Sequence, residues 1–161
     1  MLGSSSKLNF MQEAFKQAKT AFDKDEVPVG CVITYQNQII ARAFNQVEML
    51  KDPTAHAEMI AITQASNHLS SKWLTECEIF CTLEPCSMCA GALVLARIKR
   101  IFFATFDPKT GACGSVMNIA QHNQLNHRIN VEGGLLKEEC GSLLNQFFKL
   151  KRKGGNGEPV F

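Results

Sequence analysis

No apolar run in this chain of 161 residues approaches the roughly 18 residues of a membrane span, and Met1-Leu2-Gly3-Ser4-Ser5-Ser6 lacks the basic and apolar regions of a secretory signal. Both absences predict a protein of the cytoplasm with no membrane partner. Net charge is scarce as well: 17 Lys and Arg against 15 Asp and Glu leave +2, too little to announce a nucleic-acid partner by bulk electrostatics. A disulfide framework is also missing. The seven cysteines are an odd number and several sit inside apolar runs, which fits reduced thiols. No repeat and no compositional break divides the chain, so residues 1–153 are expected to form one domain, followed by a Gly-rich flexible tail over 154–161. At 45% hydrophobic content the domain has material for a full core.

What is present is a split pair of short motifs, His56-Ala57-Glu58 and Pro85-Cys86-Ser87-Met88-Cys89. They supply one imidazole, two thiolates and a free carboxylate. Three protein ligands (His56, Cys86 and Cys89) leave the fourth position of a tetrahedral zinc open for water, the arrangement of a catalytic site, and Glu58 is placed to act as the base for that water. His-x-Glu followed by Pro-Cys-x-x-Cys is the recognised signature of the zinc nucleobase deaminases, so this assignment is a pattern match that the ligand chemistry supports.

Each half has other readings. An isolated Cys-x-x-Cys in an intracellular protein is often a redox pair or half of a structural zinc site. Cys81, Cys86 and Cys89 also reproduce the C-x4-C-x2-C spacing of a plant-type iron–sulfur loop, with Cys113 or Cys140 as a fourth ligand. That alternative leaves His56 and Glu58 without a purpose. It also takes Cys81 out of Glu78–Leu83, an apolar run that reads as a buried strand, where a thiol is usually core packing. Cys31, Cys77, Cys113 and Cys140 are read as structural.

The hydrophobic pattern alternates between helix and strand. Leu8, Met11, Phe15, Ala18 and Phe22 recur at helical spacing. Val29–Tyr35 and Ile39–Phe44 are β-rich and separated by Gln36-Asn37-Gln38, which predicts a hairpin, although the turn chemistry is not of the strongest type. Asp52-Pro53-Thr54 predicts a helix start, continuing to about His68 and placing His56 and Glu58 in its opening turn. Residues two apart do not share a helix face, so both can serve one metal only from the helix end. A strand over 78–83 leads into a second helix from about Cys86 to Ala96, whose first turn puts Cys86 and Cys89 on one face. The positive helix end favours thiolate there. Arg100–Ala104 and Arg128–Val131 predict short strands, and Leu136, Cys140, Leu143 and Phe147 the apolar stripe of a last helix. Two strand-to-helix units facing one metal imply an α/β fold. Two basic groups, Arg97/Lys99/Arg100 and Lys149/Lys151/Arg152/Lys153, stand out. The second is either a set of cations stabilising a helix C-terminus or a phosphate-contacting patch.

The runs Glu26–Gly30, Asp52–Glu58, Thr82–Ala92, Asp107–Ala112 and Asn126-His127-Arg128 resemble the bacterial tRNA-specific adenosine deaminases, over residues 8 to 153. The zinc motifs are shared with cytosine, guanine and deoxycytidylate deaminases, so the alternative of a free-base or nucleotide deaminase stays open. One departure is Gln46-Val47-Glu48-Met49, in place of a stretch richer in Pro and Gly. The resemblance implies a three-layer cytidine deaminase-like fold, a five-stranded mixed sheet with helices on both faces, working as a homodimer with one zinc per subunit. It implies a tRNA anticodon stem-loop as partner and wobble adenosine as substrate, unstacked from its loop. Asn45, Val29 and Ala57 would then hold the base. Asp107 and Lys109 would meet the flanking nucleotides, and Lys151 and Arg152 the stem backbone. Read without the resemblance, Asn45 is a turn residue after a strand and Asp107-Pro108-Lys109 an exposed turn.

Overall fold

The computed structural model describes residues 3–154. Strands β1 (Gly30–Tyr35), β2 (Gln38–Phe44), β3 (Cys77–Leu83), β4 (Arg100–Thr105) and β5 (Asn130–Gly133) form a mixed sheet in the order β2-β1-β3-β4-β5. β1 runs antiparallel to β2 and β3, while β3, β4 and β5 are parallel. The helices are α1 (Ser4–Asp23), α2 (Val47–Leu50), α3 (Ala57–Leu69), α4 (Ser87–Leu95) and α5 (Lys137–Gly154).

Side chains alternate between the two faces of a strand, and the buried residues sort accordingly. Val32 of β1, Phe80 of β3 and Phe102 of β4 pack with Met11 and Ala14 of α1 and Cys140 of α5. Their neighbours Cys31, Ile33, Ile79, Cys81, Ile101 and Phe103 pack with Ala57, Ala61 and Ala65 of α3 and Ala90 and Leu93 of α4. Helices therefore cover both faces, as expected for central strands that are apolar on each side.

α1 is rotated from the expected stripe. Its buried line is Met11, Ala14, Ala18 and Ala21, with Phe15 and Phe22 only half-buried. The reason lies in β1, where a Cβ at Gly30 would fall on the backbone of Ala14 and Ala18. Helix and strand backbones meet there, and only alanines and a glycine fit the contact. In α5 the buried line is Cys140, Leu144 and Phe147, so Leu144 takes the place expected for Leu143.

The hairpin joins Tyr35 directly to Gln38 through Gln36 and Asn37, with φ of 49° and 65°. Two left-handed residues are what a turn matching the strand twist requires. Glutamine is a poor signal for that conformation, hence the weak turn in the sequence. The helix expected from Asp52-Pro53-Thr54 begins later, at Ala57. Asp52 Oδ1 accepts hydrogen bonds from the Thr54 N–H and hydroxyl at 2.8 and 2.7 Å, closing a tight local turn instead of capping a helix. The last strand lies two residues beyond the expected start because Ile129 donates to the Ala120 carbonyl, outside the ladder. α2 falls on the divergent stretch 46–49 and was not expected. α5 includes Lys153 and Gly154; the rest of the anticipated tail lies outside the described residues.

Candidate active site

Both motifs sit where the chain enters a helix. His56 is the N-cap of α3 and Cys86 the N-cap of α4, each with extended backbone (ψ 152° and 178°). An N-cap residue lies outside the helix proper, so His56 can point to the helix end while Glu58 turns into the first turn behind it. This resolves the two-residue spacing that a continuous helix would forbid. Cys89 reaches the same point three residues into α4.

The three ligand atoms lie within 4.8 Å of one another and are close enough to hold one ion. His56 Nδ1 stands 3.6 Å from Cys86 Sγ and 3.5 Å from Cys89 Sγ. Tetrahedral zinc with ordinary Zn–N and Zn–S bonds requires N···S separations of about 3.6 Å, so the donor set fits the metal. Hydrogen bonds already couple the three groups. The Cys86 thiol is pulled down to about 4, first by the hydrogen bond from Cys89 and then by His56, and the Cys89 thiol is raised as the holder of the shared proton. Cys86 raises the His56 imidazole in turn. Those are the protons a cation displaces.

The iron–sulfur alternative fails on placement. Cys81 is fully buried within β3, opposite Cys31 of β1, and burial raises both thiols well above their ordinary range. Cys140 belongs to the core on the other face of the sheet, and Cys113 is pushed up to about 12 by burial. Among the described residues, the close cluster of potential metal ligands is His56, Cys86 and Cys89.

A cleft of about 670 Å³ opens beside this corner, at the C-terminal end of β3. Glu58 lines it at 4% exposure, and burial raises its carboxyl above the ordinary range. Asn45 lines it too, its Nδ2 donating to the Val27 carbonyl at 3.3 Å. Asn45 Oδ1 and Glu58 Oε1 are buried without a hydrogen-bond partner among the described groups. Unmatched buried oxygens in one cleft mark places for a ligand's donors. Of the other residues expected to meet substrate, Val29, Ala57, Asp107 and Lys151 line the cleft. Lys109 and Arg152 are exposed and do not line it. Asp107 closes a turn by accepting from the N–H groups of Lys109 and Thr110 and from the Thr110 hydroxyl. Lys151 Nζ lies 2.6 Å from Asp25 Oδ1. The other basic group, around Arg97 and Arg100, is tied into the fold instead: Arg97 lies over the Trp73 ring and Arg100 pairs with Glu78 at 3.8 Å.

Two cleft residues escaped the sequence reading altogether. Glu26 is fully buried and Glu84 is 2% exposed, and neither makes an ion pair among the described residues. Glu26 accepts the backbone N–H groups of Glu48 and Met49, each at 2.8 Å, and so holds the first turn of α2. Glu84 accepts from the loop after β4. No local pattern announces such partners: Glu26 follows the charged run Asp23-Lys24-Asp25 and reads as one more surface residue of it.

A nitrogen-and-two-sulfur corner beside a buried carboxylate, on a mixed sheet layered with helices, is the architecture of the hydrolytic zinc deaminases. The model of the cytidine and deoxycytidylate deaminase zinc-binding region matches residues 4–105. The chain is 50% identical over 143 residues to the tRNA-specific adenosine deaminase of Aquifex aeolicus (strain VF5), covering 89% of this chain and 94% of that protein. Identity to the tRNA-specific adenosine deaminase of Bacillus subtilis (strain 168) is 46% over 144 residues, 89% of each chain. The chain belongs to the tRNA-specific adenosine deaminases, within the zinc-dependent cytidine and deoxycytidylate deaminase family. A solved structure from work on A-to-I editing by tRNA:A34 deaminases superposes with a TM-score of 0.81 at 37% identity, over 84% of this chain and 98% of that one. A guanine deaminase from Nitrosomonas europaea, 21% identical with a TM-score of 0.75 over 87% and 83% of the two chains, shares the fold.

Proposed function

We propose that this protein hydrolyses the wobble adenosine of a tRNA anticodon to inosine, with His56, Cys86 and Cys89 holding one zinc and Glu58 as the catalytic residue. The observation that carries the reading is the pair of unmatched buried oxygens, Asn45 Oδ1 and Glu58 Oε1, in one cleft beside the ligand corner. Zinc at that corner supplies Lewis acidity and makes water a nucleophile near neutral pH. Glu58 takes a proton from the attacking water, delivers it to N1 of the adenine as C6 becomes tetrahedral, and assists the departure of ammonia. Burial suits it to the first role, since a carboxyl raised by desolvation takes a proton more readily than an ordinary carboxylate. Asn45 Oδ1 accepts from the base, held in place by the Val27 carbonyl behind its amide. Val29 and the first turn of α3 at Ala57 pack against the ring.

An extruded base comes most cheaply from a single-stranded loop, which favours an anticodon over a duplex. Asp107 and Lys109 serve the flanking nucleotides and Lys151 and Arg152 the stem phosphates. We propose further that residues 1–153 act as one deaminase domain, that the protein works as a homodimer, as the family resemblance implies, and that it acts in the cytoplasm, where thiol ligands stay reduced. No described helix is long and apolar enough to cross a membrane. Incubating the protein with an anticodon stem-loop carrying adenosine at the wobble position, beside free cytosine, guanine and deoxycytidylate, tests the substrate. Inosine in the stem-loop is expected; turnover of a free base or nucleotide with the RNA untouched would overturn the assignment. Light scattering tests the dimer.

A further inference from the structure

We infer that Glu84 is a positioning residue: it fixes the 107–115 loop and thereby the grip of the cleft on the nucleotides flanking the target base. The inference rests on the RNA substrate proposed above.

Glu84 follows the last residue of β3 and lies at the bottom of the loop that leaves β4. Its own N–H donates to the Thr105 carbonyl at 2.9 Å, which ties it to the end of that strand. Its carboxylate then gathers four donors from the same loop. Oε1 accepts from the Asp107 N–H at 3.1 Å and from the Ser115 hydroxyl. Oε2 accepts from the N–H groups of Cys113 and Ser115 at 3.0 and 3.1 Å. The loop wraps so closely that a Cβ at Gly111 would stand 2.5 Å from both Cδ and Oε2 of Glu84. A buried carboxylate with no cation beside it is stabilised only by such donors, and donors to a charged acceptor make the stronger hydrogen bonds.

Support of a loop would mean little for function if the loop faced away from the chemistry. Here Asp107 and Thr110 line the cleft. Glu84 sets the backbone of Asp107 through its N–H. Asp107 in turn sets Lys109 and Thr110 through its own carboxylate. The result is a relay of hydrogen bonds from a buried acid to the rim that flanking nucleotides must pass. Every partner of the Glu84 carboxylate is a donor. A glutamine in its place offers one accepting oxygen and turns an NH2 towards a group that also donates, so one side of the clamp opens while the volume is kept.

The test uses the full-length zinc-loaded enzyme, the wobble-adenosine stem-loop, and stem-loops with the neighbouring nucleotides replaced. In Glu84→Gln the KM for the stem-loop is expected to rise about tenfold with kcat altered less, as for a loss of binding shared by ground and transition states. Discrimination between native and replaced flanks should shrink, zinc content should hold, and amide exchange should accelerate at Asp107, Cys113 and Ser115. Ser115→Ala, which removes one neutral donor, should move the same quantities in the same direction by less, and serves if the glutamine variant does not fold. An active wild type whose KM and flank discrimination are unchanged in both variants would overturn the inference alone. So would a joint fall of kcat and zinc content at constant KM, which would assign Glu84 to the Cys86 corner. A wild type inactive on the stem-loop would sink the substrate reading and this inference with it.

Discussion

At the metal corner the atoms that matter belong to side chains, Nδ1 of His56 and Sγ of Cys86 and Cys89; at the rim of the cleft they are the backbone N–H groups of Glu48, Met49, Asp107, Cys113 and Ser115, held by Glu26 and Glu84. A corner of the first kind tolerates no change of residue type, because each ligand's chemistry is its function. A rim of the second kind tolerates change in the chain it holds, because a carboxylate that accepts from N–H groups is indifferent to the side chains they carry. This explains how Gln46-Val47-Glu48-Met49 can depart from the family pattern and still form a wall of the cleft: Glu26 grips the backbone of Glu48 and Met49, while Met49 itself is half exposed.

The sharpest way to break the contrast is at the corner. Cys86→Ala or Cys89→Ala should strip the metal and abolish turnover. Cys81→Ala should keep the metal and cost on the order of 1 kcal/mol in packing. Elemental analysis and thermal melts of the three proteins decide it, and equal metal loss in all three would erase the distinction between ligand and core thiol. Next in size is Glu58→Gln. It should retain zinc, since Glu58 is not a ligand, and lose a factor of about 10² or more in turnover, the usual contribution of general acid–base catalysis. A metal-free variant, or one with a tenth of wild-type turnover, would return Glu58 to a structural role.

These two regions were also unequally legible in the sequence. The corner could be read because zinc demands particular residue types at spacings that helix geometry restricts. Even there the helix start expected at Asp52 was early by a few residues, since Asp52 turned its carboxylate on Thr54 and left His56 as the N-cap of α3. The sheet was legible through the alternation of Cys31, Val32 and Ile33 and of Ile79, Phe80 and Cys81. Its edges were less so: β5 has four residues and one backbone exception at Ile129 decides where it starts. The rim could not be read. The partners of Glu26 and Glu84 are more than twenty residues away and, the Ser115 hydroxyl apart, are backbone N–H groups, which every residue except proline possesses. A four-residue helix such as α2 also carries no periodicity to detect.

The rim should yield more gently than the corner. Glu26→Gln keeps one acceptor for the N–H groups of Glu48 and Met49 and turns an NH2 towards the other. The loss of one hydrogen bond to a charged group, with a donor left unmatched, should cost about 2 kcal/mol. Chemical denaturation measures it, and zinc should stay bound throughout. A change below about 0.5 kcal/mol, the range of ordinary surface substitutions, would show that α2 does not depend on the clamp.

The smallest effect separates the two meanings of the basic residues at the end of α5. Lys151 is engaged by Asp25 at 2.6 Å and lies over the Phe147 ring at the cleft, whereas Arg152 is exposed and makes no ion pair among the described residues. If both hold phosphates, the double replacement by alanine should weaken stem-loop binding and lower the salt slope by about 0.7 for each phosphate no longer neutralised. Asp25→Asn should act in the opposite direction. Removing the carboxylate leaves Lys151 nothing to exchange when a phosphate arrives, so affinity should rise, by a few-fold at most because an exposed pair is worth about 0–1 kcal/mol. Helix-end cations predict another pattern: a lower melting temperature for the double variant, no effect of Asp25→Asn on RNA, and an unchanged salt slope. Titrating the stem-loop at several salt concentrations against the wild type and the two variants distinguishes them. Opposite signs for the Lys151 and Asp25 changes place the phosphate at the rim; two flat slopes leave Lys151 and Arg152 as partners of the helix end and of Asp25.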